Sequence, residues 1–324
     1  MSCMVVCLRK LDVLPSHVAP SKTRFRSYFV AACSLVVQVL VFGLLAPAQG
    51  QSPPAEVLLP LIAVDHRGQP VSDLRPESLV VWDDKTQISS GVKLIPGTGL
   101  PLRVGILIDT SNSQRDNELY KAGVASVKDF VNQVLRLDED RVFFELFSTT
   151  AEATLLLSKQ QLSGISFPFQ VGGATVLYDA IVLACTDRMG KPDSRTPMRR
   201  VLIILSDGED NQSHISRAKA EAFPVSSGVL VFAISTNNSG RELKGDAVLN
   251  HFAKASGGTA YTGLRQREIA KVFGQIREQI ESMYYVAYVP PVTPRNGDVH
   301  KVDVQPAKGL KREFRTPKFY AWNP

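Results

Sequence analysis

The chain has 324 residues, 44% of them hydrophobic and 21% charged, which suits one large folded domain with a smaller one and excludes a disordered or low-complexity protein. Its formal charge of +6 belongs mainly to the first 48 residues, which hold Arg9, Lys10, Lys22, Arg24 and Arg26 against the single acid Asp12. The remainder carries 32 basic and 30 acidic residues, a balance that argues against nucleic-acid binding.

The first element is a leader. Arg24 and Arg26 precede the uncharged run "YFVAACSLVVQVLVFGLLA", and Ala46 and Ala48 have the small-residue spacing of a cleavage site. Residues 1–48 are therefore expected to be an export signal or, if uncleaved, a membrane anchor tethering the chain. Either way the remainder is expected to be exported: periplasmic, cell-surface or secreted. "VAAC" does not read as a lipid-attachment box, because most of the apolar stretch follows Cys33 instead of preceding it. Beyond the leader only Cys185 remains, inside an apolar helical pattern, so no intramolecular disulfide can form and a buried thiol is expected.

After a linker at 49–55, residues 56–100 contain "EVLLPLIAVD" and "SLVVWD", rich in branched and aromatic residues and separated by the turn "DHRGQPV". Too short to bury a core alone, this segment needs a partner. From 101 to 283 apolar strands alternate with helical patterns: "LRVGILIDTS", "NELYKAGVASVKDFVNQVL", "RVFFELFS", "ATLLLS", "TVLYDAIVLACTDRM", "RRVLIILSDGED", "ISRAKAEAF", "GVLVFAIS", "ELKGDAVLNHFAKASGG", "TAYT" and "QREIAKVFGQIREQIESM". These strands lack period-two alternation, so both faces should be buried. The pattern predicts an α/β fold, a doubly wound and mainly parallel sheet with helices on both sides. Residues 284–324 return to strand-like text and are expected to pack with 56–100 as one small β domain, with Val80, Trp82, Tyr285, Val302 and Phe314 as its core candidates.

In an open parallel sheet, ligands sit outside the carboxyl ends of the strands. Asp109, Ser111 and Ser113 follow "GILI", Asp207 follows "LIIL", and Thr175 precedes a helix start. Two carboxylates and three hydroxyls form an all-oxygen set suited to Mg²⁺, with Mn²⁺ or Ca²⁺ as alternatives. Taken singly, Thr175 could cap a helix and Asp207 could be a turn residue. Glu209 and Asp210 read as a solvated acidic rim, and Asp179 as structural.

"DTSNS", Thr175 behind "GGA" and Asp207 in "SDG" together resemble the metal-ion-dependent adhesion site of von Willebrand factor A (VWA) domains, over about 101–283. The resemblance implies that Asp109, Ser111, Ser113, Thr175 and Asp207 bind the cation directly or through water. It also implies that one coordination position is left for an Asp or Glu of a protein partner, and that the last helix, 266–283, can couple ligand binding to movement. The leader, "VDHRGQPVSDLRPESLVVWDD" and "YYVAYVP" are similar to a bacterial group of secreted VWA proteins, although where that group has "DFxV" this chain has Ser78-Leu79-Val80-Val81. The implied function is non-enzymatic adhesion or scaffolding. Two alternatives stand beside it: a Mg²⁺-dependent phosphohydrolase with Asp109 as nucleophile, which commonly wants an acid where this chain has Ser111, and a structural module with a vestigial site. The five histidines form no His-x-x-x-His pair, which argues against zinc catalysis.

Overall fold

The computed structural model describes residues 55–165, 171–190 and 196–322; the expected leader lies outside them. In chain order the strands are β1 (Val57–Val64), β2 (Leu79–Asp83), β3 (Thr86–Ile88), β4 (Lys93–Pro96) and β5 (Leu102–Asp109). Helix α1 (Glu118–Val134) follows, then β6 (Arg141–Phe147), β7 (Ala151–Ala153) and α2 (Leu177–Leu183), which runs into a π-helical turn over Ala184–Met189. Next come β8 (Arg199–Ser206), α3 (Arg217–Ser226), β9 (Leu230–Ser235), α4 (Lys244–Ser256), β10 (Thr259–Tyr261) and α5 (Ile269–Glu281). The chain closes with β11 (Tyr284–Tyr288), β12 (Val299–Pro306), β13 (Glu313–Arg315) and β14 (Phe319–Ala321). Among the described residues no helix is long and apolar enough to cross a membrane.

The central sheet has the order β10-β9-β8-β5-β6-β7. Its first five strands are parallel, and β7 pairs antiparallel with β6 at the edge. The segment "ATLLLS" (153–158) is not the strand expected: β7 ends at its first residue, and beyond that it contributes an isolated bridge from Leu157 to Val142. Strand order turns back between β5 and β8, so the carboxyl ends of these two strands form the switch point where a doubly wound sheet receives its ligands. Both faces are covered: α1 and α5 pack on one, α2, α3 and α4 on the other. Gly105 lets the central strands close up, since a Cβ there would stand 2.3 Å from Phe143 Cζ and 2.6 Å from a Leu202 methyl. Helix α4 ends at Gly257, whose φ of 86° is the left-handed cap that glycine adopts without penalty.

The two flanking segments pair strand with strand. β1 lies between β11 and β13, both antiparallel to it, and β11 continues to β4. A second four-stranded sheet has the order β14-β12-β2-β3. Between the two sheets lies a separate core containing Leu59, Leu61, Val81, Val286, Tyr288, Val302 and Trp322. The other face of the β1 sheet joins the main core through Ile62, Val64 and Tyr285. This corrects the facing expected from sequence. Trp82 and Val80 are half-buried while Val81 and Asp83 point inward, and Tyr285 faces the α/β unit instead of the sandwich. Val302 lies in the sandwich core, and Phe314 packs against it. The sandwich is anchored at the amino ends of the central strands, where the Tyr285 hydroxyl donates to the Met198 carbonyl just before β8 (2.8 Å).

Candidate metal centre

β5 delivers Asp109 to the carboxyl edge fully buried (0% exposed). Its Oδ1 accepts the Ser111 backbone N–H (2.9 Å) and its Oδ2 the Ser206 hydroxyl (2.6 Å). Burial pushes the Asp109 carboxyl up to about 6; the bonds from Ser111 and Ser206 oppose that shift and the neighbouring Asp207 charge adds to it. Among the described residues its hydrogen-bond partners are both neutral, so the carboxylate charge is not balanced by an ion pair.

The Ser111 and Ser113 hydroxyl oxygens stand 3.0 Å apart, with Ser111 buried and Ser113 exposed. The two hydroxyls are hydrogen-bonded to each other, and the same separation would suit adjacent ligands of an octahedral ion at about 2.1 Å. Gln114, buried beneath the loop, donates to Ser113 Oγ (3.1 Å) and fixes its position. Asn117 then closes the loop: its side chain caps α1 through Leu119 and Tyr120 N–H and reaches the Thr236 carbonyl beyond β9.

Thr175 is buried, and its backbone is locked to the loop that carries Asp207. Its N–H donates to Asn211 Oδ1, and its carbonyl accepts from the N–H groups of Asn211 and Gln212. The segment before it is tied to the Asp109 loop by Asn112 N–H to Gly173 O and Gly172 N–H to Thr110 O. The start of α2 is not capped by Thr175. Its N–H groups at Tyr178 and Asp179 go to Asp210 Oδ2 and Ser213 Oγ. Asp210 is thus a cap acceptor and not the solvated rim residue expected; Glu209 is exposed. Asp179 accepts the N–H groups of His214 and Ile215 and is a brace for the same loop.

Asp207 is half-buried at the end of β8, with Oδ1 accepting Glu209 N–H (3.1 Å). Its position depends on two glycines. Gly208 has φ 82°, and a Cβ on Gly245 would come within 2.0 Å of the Asp207 carbonyl oxygen, so only paired glycines allow the β8 loop and the start of α4 to meet. The three loops that carry the five sequence-selected residues therefore meet at the switch point. Ser206 and Gln114 were not singled out from sequence, and the signal for Ser206 lay in its place as the last residue of an apolar strand, beside Asp207.

The doubly wound sheet with an Asp-x-Ser-x-Ser loop at its carboxyl edge is VWA-like. No protein-family model matches the chain, and no curated protein matches it. Solved structures similar to it include proximal thread matrix protein 1 from the mussel byssus with a zinc-occupied MIDAS motif: 18% identity, TM-score 0.46, covering 60% of this chain and 49% of that one. Another is a von Willebrand factor type A structure from Catenulispora acidiphila, at 12% identity and TM-score 0.46, covering 84% of this chain and 75% of that one. A third is an aerotolerance-related membrane protein from Bacteroides fragilis, at 20% identity and TM-score 0.40, covering 55% of this chain and 98% of that one. The chain spans about half the length of the mussel protein.

Proposed function

We propose that the chain is an exported, non-enzymatic binding protein whose VWA-like module, residues 101–283, holds a divalent cation for an acidic side chain of a partner protein. The observation that carries this reading is the Asp109 carboxylate: fully buried, held among the described residues by Ser111 and Ser206, and followed by two hydroxyls in mutual contact. Asp109, Ser111, Ser113, Thr175 and Asp207 would hold the ion, directly or through water. Mg²⁺ suits this all-oxygen set, with Mn²⁺ and Ca²⁺ as alternatives. The bound ion would supply positive charge at the sheet's edge. Because three of the five ligands are neutral, that charge would be under-compensated, and an incoming Asp or Glu carboxylate would gain from it.

A phosphohydrolase built on Asp109 is the weaker reading, because the position two residues on is Ser111, whose hydroxyl neighbours Ser113 and offers no second carboxyl. The leader supports an envelope or extracellular location. The test is capture of partner proteins from the cell envelope with excess Mg²⁺ and with chelator, using wild type and Asp109→Ala. The expected result is a partner retained by wild type with Mg²⁺ and lost in the other arms. Retention unchanged by both chelator and Asp109→Ala would overturn the proposal in favour of a structural module.

A further inference from the structure

We propose that Asp83, Asp84 and His300 form a second divalent-cation site, of zinc type, that straps the two flanking segments together. Among the described residues this is a group whose carboxylate and imidazole ligand atoms all lie within 4.8 Å of one another. Asp83 ends β2, Asp84 opens the two-residue turn into β3, and His300 lies on the neighbouring β12. The Asp84 and Lys301 backbones clamp the two strands here, with Asp84 N–H to Lys301 O at 2.7 Å.

The observation that points to a ligand is the free side of Asp83. The residue is 2% exposed, and its Oδ2 accepts both the Tyr288 hydroxyl (3.0 Å) and the Tyr320 hydroxyl (2.7 Å). Oδ1 accepts no hydrogen bond among the described residues and is aimed at His300 Nδ1, 3.7 Å away and beyond hydrogen-bonding distance. The same Nδ1 is hydrogen-bonded to Asp84 Oδ2 (2.9 Å), a contact that the ion would replace. Ligands of a tetrahedral ion at about 2.1 Å stand about 3.4 Å apart. The observed separations fall on either side of that value, so small side-chain movements would admit the ion.

The surroundings supply part of what such a site requires, although His300 Nε2 is buried with no hydrogen-bond partner among the described residues. The two tyrosine hydroxyls orient the Asp83 carboxylate from behind, as outer-shell donors do for metal ligands. The His300 ring is stacked on Tyr320, with centroids 5.3 Å apart and an interplanar angle of 16°, which fixes the direction of Nδ1. Asp84 is exposed and gives the ion an entry path and room for a water. One imidazole and two carboxylates suit Zn²⁺ or a similar transition metal better than Mg²⁺, which prefers oxygen throughout. The ion would join ligands 216 residues apart in sequence, the two aspartates from the amino-terminal flank and His300 from the carboxyl-terminal flank.

The experiment is calorimetric titration of Zn²⁺ into the purified chain carrying Ser111→Ala and Ser113→Ala, which disables the Asp109 loop. One Zn²⁺ per chain is expected. Adding Asp84→Asn or His300→Gln should weaken binding at least about tenfold. Asp84 is exposed, so Asp84→Asn should leave the circular dichroism spectrum unchanged. No Zn²⁺ bound by the double-serine variant would overturn the proposal, as would an affinity unchanged by both Asp84→Asn and His300→Gln.

Discussion

Asp109 and Asp83 are both carboxylates buried at the end of an apolar strand, and among the described residues both accept from neutral donors and not from lysine or arginine. They differ in where these donors come from. Asp109 uses the Ser206 hydroxyl and the Ser111 backbone N–H, short-range donors from its own strand edge and the neighbouring strand end. Asp83 uses Tyr288 and Tyr320, whose rings fill the sandwich core while their hydroxyls reach the carboxylate. The lesson is that the reach of the donor decides what a buried acid does. Serines make Asp109 a site with little stake in folding; tyrosines make Asp83 part of the architecture.

The largest effect that separates the two comes from truncation. Asp83→Ala should cost about 2–4 kcal/mol in urea unfolding, because two buried tyrosine hydroxyls lose a charged acceptor. Asp109→Asn, measured in chelator, should stay within about 1 kcal/mol of wild type, since the amide oxygen still accepts the Ser111 N–H and the Ser206 hydroxyl can turn to accept from the amide nitrogen. Equal losses would erase the distinction.

Glu145 sharpens it as a buried carboxyl with neither kind of support. It lies fully buried in β6, both oxygens lack hydrogen-bond partners, and burial pushes its carboxyl from the ordinary 4.5 up to about 8. The native state therefore holds a proton that the unfolded chain releases between these values. Stability should fall as pH rises from about 5 to about 8, by a few kcal/mol. Glu145→Gln should flatten that slope in denaturation measured across the range; an unchanged slope would show that Glu145 is not its source.

Smaller effects follow at the sheet edge. Gly245→Ala forces a Cβ against the Asp207 carbonyl and should lower Mg²⁺ affinity together with stability, the latter by about 1–3 kcal/mol. Ser113→Ala, at an exposed position, should change stability by less than about 0.5 kcal/mol while still weakening Mg²⁺ binding in calorimetry. A Ser113→Ala protein with both properties unchanged would remove Ser113 from the site.

The sheet edge was legible in sequence because its signals are local. "GILID" and "LIILSD" each show an apolar strand running into oxygen ligands, and strand–helix alternation places both at the switch point. The sandwich was legible only as strands. β1 and β11 are buried on both faces, so period two gave no guide to which side Tyr285 takes. In β2 the inward set is Val81 and Asp83, and an aspartate facing a core cannot be inferred until Tyr288 and Tyr320, 205 and 237 residues on, are seen to meet it. Asp210 was misread for a similar reason: its acceptor role depends on Tyr178, 32 residues earlier.

The most direct test is calorimetric titration of Mg²⁺ or Mn²⁺ into the chain and its Ser111→Ala/Ser113→Ala variant. The expected result is one site in wild type and an affinity reduced at least about tenfold in the variant, with both proteins unfolding at the same urea concentration. Equal affinity in the two proteins would contradict a cation held by the Asp109 loop.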